Sequence, residues 1–252
     1  MPLLEILLLL IVGVLGGIVT TVAGGSSFVT FPSLIFLGLT PLAANTTNFV
    51  SMLFAAPLAL ATSYRSELSA IGRDLVPSIL IAIAGGACGA LLLLATGESG
   101  FARLVPYLML LATVMFAAGP AVRQALRRGA GSTPPPNSLA CLVLLFILSI
   151  YCGYFGAGVG MMLLGVLAVF GYDDVHKANA VKNVVAGVAS TVAAGIYGLS
   201  GPVAWPQALI MMAGALVGAY LGGKIAKRAP QQLLRAAIII LGSVFTLYLF
   251  WR

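Results

Sequence analysis

Two glycine-rich stretches embedded in apolar sequence have the composition to bind an anion without supplying a formal charge: "GGSS" at 24–27 and "GVG" at 158–160. Glycine lets a backbone leave helical geometry. A helix that restarts after such a break leaves its first N–H groups without intrahelical acceptors. Those groups carry a partial positive charge that suits an anion. Ser26 and Ser27 add hydroxyl donors on the first side only. Gly25, Ser26 and Ser27 are therefore candidate ligands on one side, and Gly158 and Gly160 on the other. The N–H groups of 25–28 and 158–161 are expected to face the anion. Read structurally, the same glycines would simply let helices pack closely.

A second pair of motifs follows each break. "ANTTN" at 44–48 and "ANAVKN" at 178–183 set carboxamides, hydroxyls and one ammonium in otherwise apolar sequence. Such groups are costly in lipid unless they face protein or a water-filled cavity. Asn45, Asn48, Asn179, Lys182 and Asn183 join the candidate site on that ground. Lys182 can serve as the counter-ion of an anion. It can equally snorkel to the cytoplasmic surface, since Asp173, Asp174, His176 and Lys177 lie close by in sequence. His176 reads as a solvated loop residue. Cys88, Cys141 and Cys152 lie in apolar runs without metal-ligand spacing, so neither a metal nor a disulfide framework is expected. A serine nucleophile at Ser26 or Ser27 would need a base within reach, and the single histidine sits in a charged loop. No catalytic residue, no enzyme activity and no cofactor are expected.

Composition dictates the medium in which these residues work. Of the 252 residues, 61% are hydrophobic and 8% charged, with a mean hydropathy of +1.11. A soluble domain carries about 25% charged residues, so this chain cannot cover itself with a water-facing surface. It reads as an all-α polytopic membrane protein in contact with a lipid bilayer. The net charge of +7 is sparse and lies mostly in loops, which argues for topology and against nucleic-acid binding. The first apolar run lacks the basic start of a signal peptide and reads as a membrane segment.

Apolar runs fall at roughly 3–24, 26–37, 42–63, 75–95 and 101–121, then at 138–155, 159–170, 178–197, 205–223 and 231–251. The second run of each half is too short to span, which makes it a half-helix near the midplane. The halves align. Gly25, Gly38 and Tyr64 fall on Gly158, Gly171 and Tyr197 at one offset, and Ala44–Asn45 falls on Ala178–Asn179 one residue later. Pro77, Gly85 and Gly89 fall on Pro206, Gly214 and Gly218. Residues 1–122 and 138–252 are thus expected to be two membrane repeats, joined by a basic, then Gly-, Ser- and Pro-rich linker at 123–137. Equivalent loops differ in charge: 64–74 carries two arginines and 223–228 is basic, while their counterparts 197–205 and 94–100 carry no basic residue. An odd number of segments per half predicts that inversion. The linker is expected in the cytoplasm and both termini outside. Inverted repeats with paired broken helices are a transporter architecture, with the substrate site near the midplane.

A Gly-rich break before a short apolar helix, an Asn-containing helix start and a basic loop, repeated twice, resemble the TauE/SafE family of sulfite and organosulfonate exporters. The closing run 201–250 is especially similar. The second break, Gly156-Ala157-Gly158-Val159-Gly160, keeps three glycines of the family's run, whereas the first has Ser26 and Ser27 where glycines are usual. The resemblance implies a transporter of the bacterial inner membrane that exports small sulfur anions. The residues by themselves imply a carrier with a positively polarised central site, working by alternating access. A potential-driven uniporter would suffice, since an interior-negative potential of ~100 mV favours anion exit by ~2.3 kcal/mol per charge. An anion channel and a non-transporting scaffold are the alternatives, and a homodimer is compatible with either.

Overall fold

The computed structural model describes residues 2–22, 24–55, 57–58, 72–129, 138–170, 172, 175–225 and 231–251. Their regular structure is helical. The α-helices are α1 (Leu3–Val22), α2 (Ser27–Phe36), α3 (Pro41–Ser51), α4 (Val76–Gly129), α5 (Leu139–Tyr154), α6 (Val159–Val169), α7 (Val175–Ser200), α8 (Trp205–Ile225) and α9 (Gln231–Trp251). Four described helices are long and apolar enough to cross a membrane: α1, α4, α7 and α8. Shorter apolar helices stand beside them. Large apolar side chains such as Leu4, Leu91, Leu209 and Leu247 face outward, while Asn45, Thr46, Thr47, Asn48 and Lys182 are buried. The chain is a polytopic membrane protein.

The two half-helices form as expected. α2 has 10 residues and α6 has 11, so at ~1.5 Å per residue neither covers the ~30 Å of hydrocarbon. The chain enters α2 through Gly24, at φ +71°, and enters α6 through Gly158, at φ +73°. L-residues adopt this left-handed conformation at a cost of roughly 1–2 kcal/mol. At Gly158 there is also no room for a side chain, because a Cβ would lie 3.0 Å from the Ala112 carbonyl oxygen.

Other boundaries differ from expectation. α3 ends at Ser51, inside the run expected at 42–63, whose remainder beyond residue 58 lies outside the described residues. Tyr64 and most of the basic loop 64–74 fall there too. The runs at 75–95 and 101–121 are the two arms of α4, broken by one residue, Gly97, at φ 68° and ψ 179°. Its second arm continues to Gly129 through the basic start of the linker, and 130–137 lie outside the described residues.

Helices from the two halves pair closely through small residues. α1 packs on α8 where Gly13 and Gly17 meet Met211, Ala215 and Ala219, and where Gly214 and Gly218 meet Leu10 and Val14. The first arm of α4 packs on α5 through Gly85 and Gly89, which meet Phe146, Ser149 and Ile150. The aligned glycines of the two halves thus do the same work: they bring backbones together where lipid offers no hydrophobic driving force. α9 closes over α2 with edge-on aromatic contacts, Phe31–Phe245 and Phe36–Phe245. Such pairs add about 0.5–1.5 kcal/mol each beyond area burial.

Candidate functional site

The glycines of 153–160 divide their labour. Gly153 lies against Gly86 and serves packing. Gly156, at φ +76°, and Gly158 turn the chain. Gly160, in the first turn of α6, faces the other break: a Cβ on Gly24 would sit 3.9 Å from the Gly160 Cα.

The break leaves buried carbonyls at and just after the end of α5, and side chains satisfy them. Tyr197 donates its hydroxyl to the Gly153 carbonyl, at 2.5 Å. Asn45 Nδ2 donates to the Tyr154 carbonyl at 3.0 Å, and the Tyr151 hydroxyl donates to the Ala157 carbonyl at 2.7 Å. Asn45 is therefore committed to the scaffold on that side, although its buried Oδ1 has no hydrogen-bond partner among the described residues.

α3 is fixed at its start. The Glu98 carboxylate, at the head of the second arm of α4, accepts from Thr40 Oγ1 at 2.7 Å and from the Leu42 N–H at 3.3 Å. Further along, Thr46 Oγ1 donates to the Pro202 carbonyl, and Thr47 Oγ1 accepts from the Ala204 N–H. This clamps the helix that carries Asn48.

Between the two breaks lies a cavity of about 100 Å³, against the ~10–15 Å³ one water requires. α2 and the residues before it contribute Gly24, Gly25, Ser26 and Ser27; Gly156 and Val159 come from the second break. α3 supplies Asn48 and Phe49, and the residues just after it supply Met52 and Leu53. α7 supplies Asn183, Ala186, Gly187, Ser190 and Thr191, one helical face at i, i+3, i+4, i+7 and i+8. Of the expected residues, Gly25, Ser26, Ser27, Asn48 and Asn183 line the cavity, while Gly158, Gly160, Asn45, Asn179 and Lys182 do not. Thr20, Ser190 and Thr191 line it and were not expected from sequence. The helical spacing from Asn183 is the signal that points to the last two. Thr20 Oγ1 is buried without a partner among the described residues, and nothing in the apolar α1 sequence marks it out.

Lys182 is buried, at 4% exposure, and does not reach the protein surface. Its Nζ donates to Asn179 Oδ1 at 3.2 Å and would lie 3.7 Å from a Cβ on Gly24. No carboxylate among the described residues lines the cavity. Among the described residues the partner of this ammonium is a neutral carboxamide, and a bound anion would improve its position. The free N–H groups are fewer than expected. Phe28, Val159 and Met161 spend theirs on the carbonyls of Gly25, Gly156 and Gly158, three residues back, the tight turn with which helix ends satisfy themselves. Gly25, Ser26, Ser27 and Gly160 make no such bond among the described residues. The side chain of His176 lies outside the described residues.

A bundle of membrane helices interrupted by two half-helices, with a cavity between their starts that mixes polar and apolar side chains, is an arrangement suited to a polytopic membrane transporter. The chain belongs to the sulfite exporter TauE/SafE family, whose model matches residues 9–249. Among curated proteins it is similar to a "Probable membrane transporter protein" of Haemophilus influenzae, with 26% identity over 240 residues covering 95% of this chain and 92% of the relative. "Probable membrane transporter protein ORF9" of a Sinorhizobium species is 25% identical over 96% of this chain and 90% of its own length. "Probable membrane transporter protein YfcA" of Escherichia coli K12 is 24% identical, with coverages of 94% and 87%. No solved structure matches the chain.

Proposed function

We propose that this protein exports small sulfur-containing anions such as sulfite or organosulfonates, binding them in the cavity between the starts of α2 and α6. The observation that carries this reading is the set of hydrogen-bond donors among the residues that line an otherwise largely apolar cavity. The cavity is lined by Gly25, Ser26 and Ser27 at the start of α2, by Thr191 and by Ser190, whose hydroxyl also meets Cys152 Sγ, and by Asn48 and Asn183, with Lys182 Nζ close to Gly24. With no carboxylate among the described lining residues, this set favours an anion over a cation. The family's name supports sulfite as the first ligand to try.

The two halves act as inverted repeats around this site in the bacterial inner membrane, with the linker 123–137 in the cytoplasm and the termini outside. The matched glycine packing of α1 on α8 and of α4 on α5 supports the duplication. Alternating access moves one repeat against the other, and the membrane potential is enough to drive anion exit. The protein acts as a carrier rather than a channel, scaffold or hydrolase. Counterflow in proteoliposomes tests this. Labelled sulfite should exchange saturably against unlabelled sulfite and sulfoacetate, and sulfate should compete to a different degree. Flux without counterflow would mean a channel, and no exchange would remove the sulfur anions as substrates.

A further inference from the structure

Three side chains next to the cavity form a directed chain of hydrogen bonds. Thr30, fully buried one turn into α2, brings Oγ1 to 2.5 Å from Asn48 Oδ1. Asn48, itself 3% exposed, brings Nδ2 to 3.2 Å from Ser27 Oγ. A carboxamide nitrogen only donates, so at this contact Ser27 Oγ accepts. The serine proton is then left for another acceptor. Among the described residues Ser27 Oγ makes no other hydrogen bond, and its open side is the cavity. The direction of the chain originates at Thr30. The single proton of its hydroxyl serves the nearer acceptor, Asn48 Oδ1, ahead of the Ser26 carbonyl at 2.9 Å. If the carboxamide were turned over, Ser27 would donate to Asn48 and offer the cavity only lone pairs, which an anion would repel.

We propose that Thr30 is a positioning residue of the anion site, which acts through Asn48 to hold the Ser27 hydroxyl as a donor into the cavity. The inference rests on the reading of the cavity as an anion site. It adds the device by which a neutral serine acquires a fixed polarity before the ligand arrives, so that no reorientation cost falls on binding. Nothing in the α2 sequence singles out Thr30, because a threonine in a membrane helix ordinarily bonds its own backbone.

Purified full-length protein in proteoliposomes, assayed for exchange of labelled sulfite, provides the test. Thr30→Val keeps the shape and removes the donor. It should raise KM about tenfold, the value of one hydrogen bond to a charged group, with maximal rate within about twofold. Thr30→Ser should restore the wild-type KM, and Thr30→Cys, a weaker donor, should fall between; these two keep the test open if the valine variant does not fold. Ser27→Ala should cost as much as Thr30→Val, and the double variant no more than Ser27→Ala alone. A Thr30→Val protein with unchanged KM overturns the inference. So does a KM penalty that adds fully to that of Ser27→Ala, or a loss of rate and folded protein at unchanged KM. Absence of sulfite exchange by the wild type would remove the anion-site reading and this inference with it, whereas exchange with unaffected variants would remove the inference alone.

Discussion

Lys182 combines burial with one hydrogen-bond partner among the described residues, the neutral Asn179 Oδ1, and so is a costly residue to keep for structure alone. An ammonium taken out of water without a carboxylate is unfavourable by several kcal/mol, and a stable fold retains it only against a comparable advantage elsewhere. Lys182→Met should therefore have opposite effects on function and stability. The KM for sulfite should rise by roughly tenfold to a hundredfold, the range expected when a charged hydrogen-bond donor is lost. The thermal midpoint of the purified protein should stay equal or rise. Exchange kinetics and a melting curve on the same preparation check both, and a variant with unchanged KM and a lower midpoint would mean that Lys182 is structural. The sequence alone left Lys182 divided between counter-ion and snorkelling cation, because charged neighbours in the chain cannot reveal which way a side chain is packed. Asn48, Asn183, Ser26 and Ser27 were legible from type and spacing. Asn45 was legible as buried and polar, but its Nδ2 bond to the Tyr154 carbonyl depends on a contact between distant segments. Thr20 carried no signal at all.

Among the elements, the half-helices were the most legible. Their length is set by apolar runs bounded by glycine, and both appear where those runs predict them. Boundaries that depend on single residues were not legible. Gly97 breaks α4 in one step where a loop was expected, and hydropathy does not distinguish such a break from a turn of several residues. The stop of α3 at Ser51 is likewise invisible in an apolar run. Sidedness belongs to this scale, since an odd number of crossings in each proposed repeat would reverse the orientation of the second. Alkaline phosphatase, which is active only outside the cytoplasm, should be active when fused after Arg252 and inactive when inserted at 130–137. The reverse pattern would contradict the proposed orientation, and a different result for the two termini would contradict the inverted repeat.

In the whole molecule, each half lends its first helix to the other: α1 lies on α8, and α5 lies on the first arm of α4. The half-helices are thereby held between interlocked pairs, and their starts converge on one cavity, with Lys182 Nζ close to Gly24. The central claim is that this cavity holds the transported anion. Selenite has the shape and charge of sulfite, and its selenium can be located by anomalous diffraction in crystals of the purified protein. The account predicts one selenium position in the cavity, within hydrogen-bonding reach of the Ser26 and Ser27 N–H groups and the Ser27 hydroxyl. Selenium bound elsewhere with this cavity empty would contradict it.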